Sequence, residues 1–71
     1  MIREILIVKG KVLKIKHHNH HTIGELLSEY TRENSERKHL KITLENEAWY
    51  VTYQLFGLWY TIIIDSGKGG E

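Results

Sequence analysis

The most informative part of the sequence is residues 48–65, AWYVTYQLFGLWYTIIID. In the first half of this stretch, apolar and aromatic side chains occupy every second position, as on one face of a β-strand: Trp49, Val51, Tyr53 and Leu55. Phe56-Gly57 then offers a tight turn, because glycine adopts positive φ without steric cost. Residues 58–65 are apolar at both parities, which is typical of a central strand or of one covered by a partner. The stretch therefore predicts a β-hairpin with more apolar surface than one face can bury.

A further strand is predicted immediately before this hairpin. Apolar residues at positions 40, 42 and 44 alternate with polar residues at 41 and 43, again with the period of a strand. A turn at Glu45-Asn46 would connect this strand to the hairpin, since asparagine tolerates left-handed backbone. Residues 40–65 are therefore predicted to form a β-meander.

The N-terminal region predicts a second hairpin. Ile2–Val8 is rich in β-branched residues, and Lys9-Gly10 supplies a turn. Residues 11–17 then alternate, with Leu13 and Ile15 on one side and lysines on the other. This alternation indicates a half-buried strand. We expect its leucine and isoleucine to face the core and its basic side to face solvent.

Between the hairpins, an amphipathic helix is predicted at residues 22–37. Thr22 and Glu25 form a capping box, in which each side chain can bond the backbone amide of the other residue. One apolar stripe follows at helical spacing: Ile23, Leu26, Leu27 and Tyr30. Glu33 and Arg37 are spaced for an ion pair one turn apart, and Arg37 begins a basic group that would suit the negative end of the helix dipole.

These elements follow the order β-β-α-β-β-β and predict an α+β fold. We expect a single small domain, with an antiparallel sheet of about five strands and one helix packed on one face. The domain is placed at residues 1–65, and a flexible, glycine-rich tail at residues 66–71. One helix covers only one face of such a sheet. The other face is then either solvated or an interface.

Composition excludes several classes of protein. The chain has 71 residues and no cysteine, which excludes disulfides, thiolate zinc sites and thiol catalysis. No apolar run approaches the roughly 20 residues of a membrane span, and the N-terminus lacks the features of a secretory signal, so we expect a cytoplasmic protein without membrane contact. A chain this short has little room for a shielded pocket of several hundred Å3, so we also expect no enzymatic activity.

A histidine cluster is the candidate metal site: His17, His18, His20 and His21. Imidazole binds zinc and nickel, and several of these side chains could converge from a loop. On a continuing strand, however, His18 and His20 would share a face and supply only two ligands, and the spacing matches no zinc motif. The alternative is a polar loop between strand and helix. We expect no cofactor, with zinc or nickel at this cluster as the exception to test.

Basic side chains concentrate near the N-terminus. The first 21 residues hold five lysines and arginines against one acid, although the whole chain carries a net charge of only +1. Four lysines lie in the first hairpin and could neutralise phosphates in a nucleic-acid-binding module: Lys9, Lys11, Lys14 and Lys16. No aromatic RNA-binding signature or helix-turn-helix spacing accompanies them. Alternatively, these lysines simply keep a strand edge from pairing with other chains.

The second hairpin supplies a candidate surface for protein binding. Because neighbouring residues of a strand point to opposite faces, the pairs 49–50 and 59–60 cannot place all their rings in one core. We expect the face without a helix to be lined by some of four residues, which are the candidate partner-binding residues: Tyr50, Phe56, Trp59 and Ile63. Tryptophan and tyrosine dominate interface hot spots, so this face predicts a protein partner or a homodimer. The whole sequence predicts a small non-catalytic binding or regulatory module, for example an inhibitor of a larger machine, with nucleic-acid binding as the alternative.

Overall fold

The described part of the chain folds into one five-stranded sheet and one helix. The structure, a computed structural model, describes residues 2–19, 22–32 and 37–66. Its elements in chain order are β1 (Ile2–Val8), β2 (Lys11–His18), α1 (Ile23–Arg32), β3 (Lys38–Glu45), β4 (Ala48–Leu55) and β5 (Leu58–Asp65). The predicted α+β fold and its order of elements are confirmed. Residues 67–71 of the predicted tail lie outside the described residues.

The sheet is antiparallel and has the spatial order β2-β1-β5-β4-β3. β5 therefore lies in the middle, which explains why its sequence is apolar at both parities. The bounds of β4 and β5 agree with the prediction. The turn before β4 lies at Asn46-Glu47, one residue later than predicted, and both residues have positive φ (51° and 66°).

The helix begins as its capping box predicts. The Thr22 amide donates to Glu25 Oε1 at 2.7 Å, and the Glu25 amide donates to Thr22 Oγ1 at 3.2 Å. The predicted end of the helix at residue 37 is wrong, because α1 ends at Arg32 and Arg37 immediately precedes β3. The apolar stripe ends at Tyr30, and a helix without an apolar face to pack gains little from continuing. The predicted ion pair with Glu33 lies outside the described residues.

One face of the sheet packs against this helix. The buried core consists of Leu26, Val51, Tyr53, Ile62 and Ile64, and the rest of the helix stripe packs against it. Residues paired directly across two strands share a face, so the pairs Val51–Ile62 and Tyr53–Tyr60 direct this side of the hairpin toward α1. The predicted inner face of β4 is therefore confirmed. No helix in the described parts of the chain is both long enough and apolar enough to cross a membrane.

The orientation of β2 is the reverse of the prediction. Leu13 and Ile15 are 62% and 52% exposed, whereas we expected them to face the core. Lys14 pairs with Leu6, and Lys16 pairs with Glu4, on the side of the sheet that carries the helix. The reason is that β1 is apolar at both parities. Its sequence alone therefore does not decide which face of its hairpin partner lies on the helix side.

A β-bulge in β2 changes which of its side chains lie on each face of the sheet. Leu6 pairs with Lys14 while Ile7 pairs with Val12, so Leu13 is the extra residue of the ladder. Beyond the bulge, Lys11 pairs with Val8, which returns this lysine to the face of the other two strand lysines. The apolar residues of β2 occupy the opposite face. One edge strand is therefore basic on the helix side and apolar on the other.

Candidate functional site

The sheet face opposite the helix carries a continuous apolar row. Ile5 pairs with Ile15 on one side and with Ile63 on the other, and Ile63 pairs in turn with Tyr50. We call these four residues the apolar row, and the face that carries them the open face. Within the described residues, no element of the chain packs on the open face. The row is extended by exposed neighbours in β2, Val12 and Leu13, at 56% and 62% exposure.

An ion pair closes one end of the open face. Arg3 and Asp65 are paired across β1 and β5, and the guanidinium bonds both carboxylate oxygens, at 3.2 Å from Nε and 2.7 Å from Nη2. The hydrogen bond to Asp65, and then the charge of Asp65, raise the pKa of Arg3. Because the two charges neutralise each other, this end of the face presents little net charge.

The structure brings together only part of the predicted protein-binding set. Tyr50 and Ile63 are direct cross-strand neighbours on the open face. Trp59 lies on the same face as Ile63, four residues away along β5; it is 54% exposed, and the centre of its ring lies 5.8 Å from that of His39. Phe56 lies in the turn between β4 and β5 and is 85% exposed, with a positive φ of 53°.

Sequence reasoning missed the isoleucines and the valine that complete the open face. Ile5, Ile7 and Val12 belong to the first hairpin, in which the sequence indicated only the basic residues as a candidate site. Their signal was present in β1, whose residues are apolar at both parities, as in the central strand β5. Two strands that are apolar at both parities, β1 and β5, are expected to lie side by side in the middle of the sheet. Both hairpins then contribute apolar residues to both faces of that sheet.

On the helix side, a basic cleft opens between the β1–β2 edge and the helix. Its volume is about 230 Å3, and it is lined by Glu4, Leu6, Lys14, Lys16, Tyr30, Arg37, Tyr53, Tyr60 and Ile62. Of the predicted nucleic-acid-binding lysines, two therefore line the cleft. Lys11 lies on the same sheet face beyond it, and Lys9 lies in the turn, with a positive φ of 56°.

Arg37 contributes the third cation of the basic cleft. Its guanidinium carbon lies 5.1 Å from the centre of the Tyr30 ring and 4.9 Å from that of Tyr53. Tyr53 in turn stacks on Tyr60, with ring centres 5.3 Å apart and planes 6° from parallel. Nη1 donates to the Tyr30 carbonyl at 3.4 Å, while the buried Nε has no acceptor among the described residues. The sequence did not identify this residue as part of a site, because we had placed it at the helix end.

Glu4 is the carboxylate of the basic cleft, and its oxygens already have partners. His18 Nε2 lies 2.7 Å from Oε1, and the Tyr30 hydroxyl donates to Oε2. Burial, followed by the hydrogen bond to Glu4, raises the pKa of Tyr30. Glu4 thus links β1, β2 and the helix, which fixes the walls of the cleft relative to one another.

The described part of the histidine cluster does not converge. His17 pairs with Arg3 and His18 pairs with Ile2, so the two imidazoles occupy opposite faces of the sheet. His20 and His21 lie outside the described residues. Within the described ranges, no group of three possible metal ligands is found. The expectation of no cofactor, with zinc or nickel at this cluster as the exception, stays a prediction.

Comparisons of the chain with protein-family models, with curated proteins and with solved structures gave no significant match.

Proposed function

We propose that this protein is a non-catalytic binding module whose open face docks onto an apolar surface of another protein. The observation that carries the proposal is the apolar row, which crosses four of the five strands on a face that no element of the described residues covers. A monomeric protein rarely exposes a contiguous apolar patch of more than a few hundred Å2 unless the patch binds something. Docking in this way would let a small chain regulate or inhibit a larger protein by occupying its surface.

The chemistry of the open face supports an apolar, weakly charged partner surface. Burying a fully exposed Ile or Val side chain contributes about 1.5–3 kcal/mol, and each partly exposed side chain of the row, such as Ile15 at 52% exposure, would contribute in proportion. The polar positions among them are mostly uncharged, such as Thr52 and Thr61, and the Arg3–Asp65 pair is internally neutral. Charged side chains on this face, such as Lys41 and Glu45, lie on the edge strand β3, beyond the row.

The test compares two exposed apolar residues on opposite faces. Ile15 lies on the open face, while Leu44 is 58% exposed but pairs with Trp49 on the helix side. A photo-crosslinking amino acid at position 15 is used in cells to trap the partner, which is then purified, and its affinity is measured by calorimetry. We expect Ile15→Ser to weaken binding by about tenfold or more, because an apolar anchor is lost. Leu44→Ser is the matched control and should leave the affinity unchanged.

Two outcomes would contradict the proposal. Crosslinks that join only copies of this chain would show that a homodimer occupies the open face. Equal effects of Ile15→Ser and Leu44→Ser would show that binding does not depend on the apolar row.

A nucleic-acid-binding module is the second candidate, favoured by the bulge in β2. The bulge directs Lys11, Lys14 and Lys16 to one sheet face along an edge strand, where they could follow a phosphate backbone. If this candidate is right, Lys14→Glu with Lys16→Glu abolishes binding of a fluorescent oligonucleotide and flattens its salt dependence. Ile15→Ser should leave that binding intact. Absence of oligonucleotide binding by the wild type at low salt would remove this candidate.

A further inference from the structure

We propose that the basic cleft binds the phosphate group of a small organic phosphate, with Lys14, Lys16 and Arg37 as its cationic ligands. The cleft lies on the opposite side of the sheet from the open face, so this inference is independent of protein docking. It concerns a bounded site rather than a strand edge. The site also differs from the proposed nucleic-acid-binding set. It includes Arg37, whereas Lys9 and Lys11 are not among the residues that line the cleft.

The charges of the cleft match a phosphate. Among the described residues, the three cations that line the cleft face one lining carboxylate, Glu4, which leaves an excess of two positive charges. Glu4 is a weaker partner for the lysines than a phosphate would be, because its carboxylate oxygens already bond His18 and the Tyr30 hydroxyl. A phosphate monoester carries a charge of about −1.5 to −2 near neutral pH, so it would balance this excess.

Arg37 is held in a position that suits an oxyanion. Stacking over Tyr30 and Tyr53 orients the flat guanidinium, which reduces the conformational freedom that binding would otherwise remove. Among the described residues, its hydrogen bond is the long one from Nη1 to a carbonyl, at 3.4 Å. Donors of the planar fork therefore remain for a phosphate, which arginine binds in a bidentate manner.

The size and walls of the cleft limit the organic part of the ligand. A volume of about 230 Å3 lies below the roughly 300–1,000 Å3 of pockets for drug-sized molecules. Leu6, Tyr60 and Ile62 form the apolar wall beside the cations. A phosphate attached to one ring or a short carbon chain fits the small volume and the apolar wall of the cleft better than a long polyanion does.

The test measures binding of phenyl phosphate and of inorganic phosphate by amide NMR shifts and calorimetry at constant ionic strength. We expect saturable, one-to-one binding, with shifts concentrated at residues 14–16, Tyr30 and Arg37. Phenyl phosphate should bind more tightly than inorganic phosphate, because its ring contacts the apolar wall. Lys16→Gln should weaken binding by about tenfold or more, since a charged hydrogen bond is lost.

Lys41→Gln is the matched control. Lys41 is an exposed strand lysine on the opposite edge of the sheet, where it pairs with Thr52 on the open face. Equal weakening by Lys16→Gln and Lys41→Gln, or shifts that do not saturate, would show general screening and overturn the proposal. Tighter binding of an oligonucleotide, lost equally in Lys9→Gln and Lys16→Gln, would overturn it in favour of nucleic acid.

Discussion

At the scale of single residues, the Tyr30 hydroxyl joins the helix to the sheet through Glu4. Burial and this bond raise the phenol pKa in the folded state, so the folded protein holds its proton more tightly than the unfolded chain does. The contribution of Tyr30 to stability is then complete below the unfolded pKa of about 10 and is lost as the pH rises above it.

We therefore predict that Tyr30→Phe flattens the alkaline loss of stability. Urea unfolding midpoints, measured on either side of about pH 10, should fall with pH more steeply for the wild type than for Tyr30→Phe. Tyr50→Phe, on the open face, is the control and should keep the wild-type slope. Identical slopes for Tyr30→Phe and the wild type would mean that the Tyr30–Glu4 bond does not contribute this pH dependence.

Phe56 combines an unfavourable backbone with an exposed ring. Its φ of 53° precedes Gly57 at 81°, the pattern of a type I′ hairpin turn, in which asparagine is preferred at the first position. An L-residue in left-handed backbone loses about 1–2 kcal/mol unless it is a residue such as asparagine that bonds locally. The ring, at 85% exposure, recovers nothing from packing within the protein.

We predict that Phe56→Asn stabilises the free protein by about 1 kcal/mol while weakening partner binding. Lys9→Asn is the matched control, because Lys9-Gly10 has nearly the same φ pair, 56° and 76°, in the other hairpin. It should give a similar gain in the urea midpoint with partner affinity unchanged. If Phe56→Asn leaves partner affinity unchanged, Phe56 is not an anchor of the interface.

At the scale of elements, local signals in the sequence were sufficient for most of the secondary structure. The capping box at Thr22 and the turn glycines depend only on neighbouring residues, so the start of α1 and the bounds of β4 and β5 could be predicted. The sequence could not predict which side chains of β2 lie on the helix side of the sheet. Their orientation depends on the register with β1 and on one extra residue, Leu13, and both are set by pairing in three dimensions rather than by the alternation within the strand.

The bulge leads to a prediction about deletions in β2. Removing Leu13 leaves every observed pair intact, because Lys14 still meets Leu6 and Val12 still meets Ile7 in a regular ladder. Thermal unfolding should therefore show a small change for this deletion. Removing Ile15 instead forces Leu13 toward the helix side and Lys14 onto the open face, so it should lower the melting temperature clearly. Equal losses from the two deletions would show that the bulge is itself required for the fold.

At the scale of the whole molecule, the two candidate sites follow from one constraint. A helix of ten residues covers one face of the sheet. The other face then displays whatever the outer parity of each strand carries, and here that is isoleucine and tyrosine. Parity within one hairpin is local, so the sequence alone could place Tyr50, Trp59 and Ile63 on the open face. The basic cleft was missed, since it requires Arg37 and the edge of β2 to meet, and no sequence spacing relates them.

This two-faced arrangement predicts an asymmetry in stability. Ile64 is fully buried and Ile15 is 52% exposed on the open face. Truncating a buried isoleucine to alanine costs about 2–5 kcal/mol, a large share of the roughly 4–10 kcal/mol available to a chain of this length. Ile64→Ala should therefore lower the urea midpoint severely or unfold the protein. Ile15→Ala should cost much less, about 1 kcal/mol, because about half of its surface is already exposed in the free chain.

The same pair of variants also distinguishes a free open face from one that is already covered. If copies of the chain cover the open face, Ile15→Ala will cost nearly as much as Ile64→Ala, and the unfolding midpoint will rise with protein concentration. If the open face is free, as docking onto a different protein requires, the midpoint will be independent of concentration and the cost of Ile15→Ala will stay small. Urea titrations of both variants and the wild type at two protein concentrations, with light scattering on the same samples, make that distinction before any partner is known. A concentration-dependent midpoint would show that the apolar row mediates self-association rather than docking onto a different protein.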